Sequence, residues 1–373
     1  MRIKDVEVIV LRAPSVDTSR SDGTQDAVFV RVHTDDGITG VGEADSSPYL
    51  VRTVIEMPSS HIGARGLREI LVGENPLEIG RLWELMFHAS DHYGRSGVAL
   101  HAISAIDLAL WDLAGKAYGQ PVSTLLGGRR VERVKVYASE LMPDTVDEVQ
   151  RIAATAVERG YGALKLGWGP LGRDLAADER LIRAAREVIG PERDLMIDGG
   201  RAYTLRGARE LLARVADVGL YWLEEPLQPD DLDGYRQLSD SSNVRIATGE
   251  IEAGIRPFRA LVERSHVGVL QPDLGHCGGF TVGRKIADLA GETGVEVVPH
   301  CFASGVLAAA SLHLAAILDR PTYSEFSVTE SPLASSVITE PFVLEDGHLR
   351  VPDRPGLGVE LDDDTVARYR VAS

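Results

Sequence analysis

The chain has 373 residues, of which 44% are hydrophobic and 25% are charged. This length suits one large domain with a smaller companion, or two ordinary domains. The formal net charge of -17 argues against nucleic acid and anionic membranes as partners, because both need a basic surface on the protein. An acidic small-molecule substrate stays possible if positive charge is concentrated in one site.

Cysteine usage and apolar runs bear on the compartment. Cys277 and Cys301 are the only cysteines, too few for a disulfide framework, and they suit a reducing environment. The N-terminal segment has charged residues close to its start, and its apolar run is too short for a signal peptide. We expect that no stretch approaches the roughly 18 apolar residues of a membrane span. A cytoplasmic protein is therefore expected.

Residues 1–126 are predicted to form an α+β unit. Three strand-like runs, VEVIVLRA (6–13), AVFVRVHT (27–34) and ITGVGEA (38–44), are separated by turn residues and indicate a meander. From about 76 to 126 apolar residues recur at three- and four-residue spacing, which predicts helices.

After residue 126 short strand-like runs alternate with amphipathic helical segments, which predicts a parallel sheet. There are eight such runs, at 134–139, 163–167, 195–200, 221–226, 245–250, 267–273, 295–300 and 322–327. Eight units over about 200 residues is the size of a (β/α)₈ barrel. A doubly wound open sheet is the alternative, although no Gly-rich phosphate fingerprint follows an early strand. We assign 127–327 to this α/β unit and expect 328–373 to pack back on the N-terminal unit.

Seven successive runs end in a charged or titratable residue, and these residues lie 23 to 33 positions apart, about one βα unit. They are Lys165, Asp198, Glu224, Glu250, Asp273, His300 and Glu325. In a parallel barrel the C-terminal strand ends converge on one mouth, where catalysis occurs. The sequence therefore predicts an active site at this mouth.

Three of these residues are carboxylates on adjacent strands. Asp198, Glu224 and Glu250 would repel one another strongly unless a cation neutralised them. Oxygen-only ligands favour Mg²⁺ over Zn²⁺. An ion pair with an arginine such as Arg201 is the structural alternative for any one of them. Glu225 should point to the opposite face of its strand and be structural.

Asp273 and His300 end neighbouring strands and can hydrogen-bond. A carboxylate on one imidazole nitrogen fixes the tautomer and raises the basicity of the other, so His300 is the candidate general base. Glu325 lies beside this pair around the ring. Cys277 and Cys301 lack a third soft ligand and are predicted to be small apolar fillers.

Taken together, the lysine on strand two, the motifs WLEEP, ATGE, QPD and PH, and the last-strand glutamate resemble the mandelate racemase group of the enolase superfamily. The resemblance extends to the helical segment at 102–128 and to PGLGVELDDD at 355–364. It implies a (β/α)₇β TIM-like barrel with an N-terminal α+β capping domain, and Mg²⁺ held by the three carboxylates. It also implies removal of a proton next to a carboxylate to give an enediolate that the metal stabilises.

The sequence departs from this group at strand two. Racemases and cycloisomerases of this kind resemble one another in a Lys-x-Lys, whose second lysine acts as a base. Here the sequence is Lys165-Leu166-Gly167, so a glycine without a side chain stands where the second lysine would be. One-base chemistry at His300 is expected instead, with the Lys165 ammonium contacting the substrate carboxylate opposite the metal.

These observations predict a Mg²⁺-dependent dehydratase of a sugar acid, either an aldonate or an aldarate. His300, oriented by Asp273, removes the α-proton and protonates the departing 3-hydroxyl, while Glu325 donates a hydrogen bond to the substrate carboxylate. The product is a 2-keto-3-deoxy acid. A racemase or epimerase that uses Lys165 as a second base is one alternative, and a catalytically silent sugar-acid binding barrel is another.

Substrate specificity is expected from loops of the capping domain around 14–25 and 44–60. Arg20 and Tyr49 are candidate substrate contacts on these loops, and Trp168 is a candidate on the barrel side. The expected partner is a small-molecule carboxylate. The resemblance suggests a homo-oligomer, commonly an octamer.

Overall fold

The computed structural model describes residues 1–371. The N-terminal unit is an antiparallel sheet of three strands covered by helices. Its strands are β1 (Ile3–Arg12), β2 (Asp26–Thr34) and β3 (Thr39–Ala44), in the order β1-β2-β3. A 3₁₀ turn spans Gly23–Gln25, and the helices are α1 (Pro48–Glu56), α2 (Leu67–Leu71), α3 (Ile79–Ala89), α4 (Asp91–Gly94), α5 (Val98–Tyr118) and α6 (Val122–Leu125). The predicted meander and the helices after it are confirmed.

The sheet of this unit packs closely on α5. Gly40 and Gly42 lie on the same face of β3. A Cβ at Gly40 would overlap the carbonyl oxygen of Ala109 in α5, and a Cβ at Gly42 would overlap that of Ala105. Only glycine permits this approach of strand and helix. The close packing brings the end of β3, with Glu43 and Asp45, to the side of the molecule that faces the second unit.

The second unit is a parallel barrel with seven strand-helix repeats and a final strand. Its elements are β4 (Arg133–Leu141), α7 (Val146–Glu158), β5 (Ala163–Gly167), α8 (Leu175–Ile189), β6 (Asp194–Asp198), α9 (Leu205–Arg214), β7 (Leu220–Glu224), α10 (Leu232–Ser241), β8 (Arg245–Thr248), α11 (Ile255–Glu263), β9 (Val269–Leu270), α12 (Gly279–Thr293), β10 (Glu296–Val297), α13 (Gly305–Ile317) and β11 (Ser324–Ser327). Neighbouring strands pair in parallel from β4 to β10, and β11 pairs with β4. Glu325 N donates to Pro299 O at 3.2 Å and links the two ends. The (β/α)₇β barrel is confirmed, and the open-sheet alternative is wrong.

Strands β9 and β10 are shorter than the sequence runs predict. Pro272 and Pro299 follow them and have no N–H for the ladder. Pairing resumes one residue later, where Asp273 and His300 form an isolated parallel bridge. The strand ends that carry the candidate dyad therefore stay in register although the regular strands stop early.

The barrel interior is filled below the mouth by a layer of large and small side chains. It consists of Tyr137, Ala163, Met196, Trp222, Ala247, Val269, Val298 and Tyr323. Because side chains alternate along a strand, the residues two positions further on point into the same interior. In this way Ala163, Met196 and Trp222 lie beneath Lys165, Asp198 and Glu224, and the packed layer forms the floor of the mouth.

The segment after the barrel contacts both units. Its elements are α14 (Pro332–Ser335), β12 (His348–Arg350) and α15 (Asp363–Tyr369). Strand β12 pairs antiparallel with β4 of the barrel, whereas Val371 N donates to Val10 O of β1 at 2.9 Å. The chain end therefore connects the barrel with the N-terminal unit instead of packing on that unit alone.

Two buried carboxylates of the N-terminal unit cap barrel helices. Glu43 accepts from Ser304 Oγ (2.6 Å) and from Leu307 N (2.9 Å) at the start of α13. Asp107 accepts from Thr281 N at 3.0 Å in the first turn of α12. Burial raises the pKa of each carboxyl to about 7, although these hydrogen bonds partly offset it. The N-terminal unit is thus attached to the two helices that follow the Asp273 and His300 strand ends.

Helix α5 corrects one expectation from the sequence. Val98–Tyr118 is long and apolar enough to cross a membrane, the one such helix among the residues that the structure describes. Most of it is buried inside the fold, against the sheet of the N-terminal unit. Its all-round apolar surface is accounted for by this packing.

Candidate active site at the barrel mouth

A cavity of about 220 Å³ lies at the C-terminal ends of the barrel strands. Its walls include Lys165, Asp198, Glu250, His300 and Glu325, with Ser21, Gly23 and Asp45 contributed by the N-terminal unit. Larger cavities of about 310 and 680 Å³ lie at the opposite end of the barrel and contain none of these residues. The mouth cavity is therefore the candidate active site.

The three predicted metal ligands meet at this mouth. Asp198 and Glu224 are register partners at the ends of β6 and β7, and Glu250 follows β8 by two residues. One carboxylate oxygen from each lies within 4.8 Å of the other two. Gly200 N donates to Asp198 Oδ1 at 2.8 Å, and Trp222 Nε1 donates to Glu224 Oε2 at 2.9 Å. Backbone and indole donors thus fix the orientation of two of the three carboxylates.

The electrostatics of this triad fit a bound cation. Burial, followed by repulsion from Glu250, raises the pKa of Asp198 to about 6. Burial and the neighbouring Asp198 raise the pKa of Glu224 to about 7, although Lys165 opposes the shift. Glu250 Oε2 is buried and accepts no hydrogen bond from any described residue. Surplus negative charge and a buried oxygen without a hydrogen-bond donor, here Glu250 Oε2, are typical of metal sites built from oxygen ligands. The triad is therefore a candidate metal site.

Glu225 lies on the other face of β7, outside this triad. Arg201 Nη1 contacts its Oε2 at 3.1 Å, and Thr248 Oγ1 donates to its Oε1 at 3.2 Å. Arg201 also stacks on Trp168, with its guanidinium carbon 4.5 Å from the ring centroid. Trp168 and Arg201 have φ angles of 59° and 62°, a backbone region that non-glycine residues seldom adopt. Such strain at the cavity rim marks a conformation that the surrounding structure imposes.

Lys165 is almost fully buried and is paired on two sides. Its Nζ lies 2.6 Å from Glu224 Oε1 and 2.8 Å from Glu325 Oε1. Burial alone would lower the pKa of the ammonium, but Glu224 and Glu325 outweigh it and raise that pKa well above its usual value. Lys165 therefore stands as a fixed positive charge between the metal triad and the last strand.

His300 and Asp273 form the predicted dyad. His300 Nδ1 donates to Asp273 Oδ2 at 2.7 Å, and Asp273 Oδ1 accepts from Gly275 N at 2.6 Å. Burial opposes the charged imidazole, but Glu325, Glu250 and Asp273 together raise its pKa well above the usual value. Nε2 is left at the cavity, 3.4 Å from Glu250 Oε2. This arrangement gives His300 a high affinity for one proton.

Glu325 is held between Lys165 and a backbone N–H. Its carboxylate pairs with Lys165, and Cys301 N donates to its Oε2 at 2.9 Å. Burial would raise its pKa, but Lys165 and His300 hold it at about 2. An ionised carboxylate only accepts hydrogen bonds, so in this pairing Glu325 stabilises the Lys165 ammonium and the imidazolium that His300 forms when it takes up a proton. The predicted donation from Glu325 to the substrate carboxylate stays a prediction.

Two predicted substrate contacts lie elsewhere. Tyr49 is the second residue of α1 and is 45% exposed, and it is absent from the cavity wall. Arg20 is exposed on the loop before the 3₁₀ turn and is also outside the wall, which its neighbour Ser21 reaches. Trp168 does line the cavity. Loops follow no side-chain period, so their exact contacts could not be derived from the sequence.

The wall contains further residues, of which Asp45 lies on the loop at 44–60 that was expected to determine specificity, whereas Glu140 and His276 were not predicted. Asp45 approaches the dyad, because a carboxylate oxygen of Asp45 lies within 4.8 Å of ligand atoms on Asp273 and His300. His276 lines the cavity and stacks edge-on against His101 of α5, with ring centroids 4.1 Å apart. Glu140, at the end of β4, completes this side. For Glu140 a signal existed, since it ends the first barrel run just as the other seven residues end theirs.

The close packing of Gly167 against Asp198 accounts for the absence of a second lysine on β5. It is the register partner of Asp198. A Cβ at this position would come within 2.9 Å of Asp198 Cγ and closer still to Asp198 Cβ. A side chain here would therefore displace Asp198, one of the three candidate metal ligands.

We expect Gly167→Ala to weaken divalent-metal binding by about tenfold or more, with a parallel loss of turnover. The reason is the forced movement of the Asp198 carboxylate. Metal affinity is measured by isothermal titration calorimetry. Gly162→Ala, just before the same strand, is the control, because its Cβ meets only Lys135 Cε at an ordinary 3.6 Å. Unchanged metal affinity in Gly167→Ala would contradict this account.

Comparisons with known proteins agree with this geometry. Residues 2–127 match the family "Mandelate racemase / muconate lactonizing enzyme, N-terminal domain", and residues 148–365 match "Enolase C-terminal domain-like". D-galactarolactone cycloisomerase of Agrobacterium fabrum is 36% identical over 92% of this chain and 91% of its own. L-rhamnonate dehydratase of Saccharopolyspora erythraea is 35% identical over 91% and 84%. A crystal structure of a racemase from Streptomyces coelicolor with bound magnesium superposes with a TM-score of 0.88, at 30% identity over 99% of this chain and 100% of that one.

The barrel mouth, the acidic triad and the His300–Asp273 dyad form a candidate active site. The chain belongs to the mandelate racemase / muconate lactonizing enzyme family of the enolase superfamily. The predictions of the family and of an enzyme of the lyase class are confirmed at this level.

Proposed function

We propose that this chain is a Mg²⁺-dependent lyase that removes the α-proton of a sugar acid and expels the oxygen on the β-carbon. The C–H electron pair becomes the new carbon–carbon double bond as the β carbon–oxygen bond breaks. For an acyclic substrate the hydroxyl leaves as water, and the enol tautomerises to a 2-keto-3-deoxy acid. The observation that carries the proposal is the His300–Asp273 dyad, whose free Nε2 faces the cavity beside the triad.

His300 is the base in this proposal. It accepts the α-proton at Nε2, and Asp273 on Nδ1 stabilises the imidazolium that forms. The same imidazolium can then give its proton to the departing oxygen, so one residue serves both halves of the elimination. Glu325 and Glu250 at 3.6 and 3.4 Å from Nε2 add to the stabilisation of the charged form.

Asp198, Glu224 and Glu250 would hold the metal, which supplies positive charge to the enediolate oxygens. Mg²⁺ fits because the donors are all carboxylate oxygens. Lys165 adds a second fixed positive charge next to this triad. Its ammonium is preorganised by Glu224 and Glu325, so no reorganisation is needed when charge develops on the substrate.

The leaving oxygen can also belong to a ring. The relatives include a cycloisomerase, and the same first step serves a lactone whose β-oxygen is tethered within the ring. Elimination would then open the ring without loss of water. This second candidate differs from the first in the substrate only, since His300 and Lys165 keep their roles.

Epimerisation with Lys165 as a second base is less well supported. An ammonium held by two carboxylates is a poor proton acceptor. The position that carries the second lysine in such enzymes is Gly167, where a side chain would displace Asp198.

The proposal is tested by incubating the protein with Mg²⁺ and a panel of sugar acids and their lactones in D₂O. Proton NMR follows the α-proton, and mass spectrometry separates loss of water from isomerisation. We expect loss of the α-proton signal together with a 2-keto-3-deoxy product. Exchange of the α-proton without elimination would assign the chain to epimerisation, and tight binding without any product would assign it to sugar-acid binding.

A further inference from the structure

We infer that the substrate carries one carboxylate and is otherwise neutral, as in an aldonate or the monolactone of an aldarate, and does not carry the two free carboxylates of an open-chain aldarate. The inference rests on the proposed function, which fixes how the substrate lies. Its reacting carboxylate must approach the metal triad and Lys165, and its α-carbon must face His300. The rest of the substrate then occupies the remaining part of the cavity.

That remaining part is acidic. Its wall contains Asp45 from the N-terminal unit and Glu140 from the end of β4, together with Ser21, Gly23 and Leu141. Glu140 Oε1 accepts hydrogen bonds from Leu141 N at 2.9 Å and from Thr329 Oγ1 at 3.1 Å. Its Oε2 is left to accept from a ligand. Carboxylates placed in this way are good acceptors for sugar hydroxyls.

A second substrate carboxylate finds no free cation on this wall. Among the described wall residues the lysine is Lys165, paired with Glu224 and Glu325, and the arginine is Arg201, paired with Glu225. Arg20 lies outside the wall, and its charge acts on Glu140: burial raises the pKa of that carboxyl, and the nearby Arg20 partly opposes the shift.

The neighbourhood of Asp45 already holds surplus negative charge. Burial, with repulsion from Asp273, Glu43 and Glu250 that His300 partly offsets, raises the pKa of Asp45 well above its usual value, so ionisation of a carboxyl group is disfavoured at this place. The same crowding disfavours a further carboxylate from the substrate. A wall that accepts hydrogen bonds from neutral hydroxyl groups and repels a second carboxylate makes the site specific for substrates with one carboxylate.

The test compares each aldonate with the aldarate of the same hydroxyl configuration, such as galactonate with galactarate, using the Mg²⁺-loaded protein. We expect kcat/KM to favour the aldonate or lactone by about 100-fold. Glu140→Gln and Asp45→Asn keep side-chain shape and remove the ability to ionise, so each should reduce this preference by about tenfold. Glu187→Gln, on the exposed face of α8, removes a charge far from the cavity and should leave the preference unchanged.

The outcomes separate this inference from the function on which it rests. Turnover of an aldarate as fast as its aldonate would overturn the inference and leave the proposed lyase intact. A preference that persists in Glu140→Gln and Asp45→Asn would overturn the assignment of these two residues. Absence of α-proton loss with every member of both classes would overturn the proposed function and this inference together.

Discussion

Replacing His300 by asparagine is expected to lower kcat/KM by roughly 10³-fold and to abolish exchange of the α-proton in D₂O. Asparagine can still donate to Asp273, so the change removes the base and keeps the local hydrogen bond. The other groups at the cavity cannot take over the proton. Lys165 is held as an ammonium, and burial with the nearby His300 lowers the pKa of His276 to about 3.

His266→Asn is the matched control for this variant. His266 is exposed and has a φ of 52°, a conformation that asparagine tolerates well. It should retain full activity. A His300→Asn protein that still exchanges the α-proton, with unchanged metal affinity, would show that another group is the base.

The regular part of the site could be derived from the sequence because strands impose a period of two and a barrel gathers their ends. Asp198 and Glu224 follow directly from this rule, and Trp222 lies beneath Glu224 for the same reason. Even the interruption of β9 and β10 by proline leaves Asp273 and His300 in register.

The remaining features depend on contacts that no local pattern encodes. Asp45 and Glu43 come from the N-terminal unit, and their positions follow from how that unit is attached to α12 and α13. Tyr49 was expected at the cavity because the loop at 44–60 was expected to contact the substrate, but Tyr49 is exposed to solvent. The charge state of Glu325 depends on Lys165 and His300 together, which spacing alone does not reveal.

Replacing Lys165 by methionine is expected to lower kcat roughly 10³-fold while divalent-metal binding is retained or becomes tighter. The ammonium competes with a cation for Glu224, so its removal frees that carboxylate for the metal. The same change removes the positive charge that faces the developing enediolate and leaves Glu325 without its partner. Turnover falls although the metal ligands are intact, and calorimetry of Mg²⁺ binding separates the two effects.

Lys135→Met is the control, because it removes a lysine from the neighbouring strand at the opposite end of the barrel. Lys135 is 40% exposed there and packs over the Tyr323 ring at 4.4 Å. Its loss should leave kcat and metal affinity unchanged. Retained turnover in Lys165→Met would contradict a role for the ammonium in stabilising the enediolate. Weaker metal binding in that variant would mean that Lys165 acts by orienting Glu224, so the two possible roles of this buried lysine predict opposite changes in metal affinity.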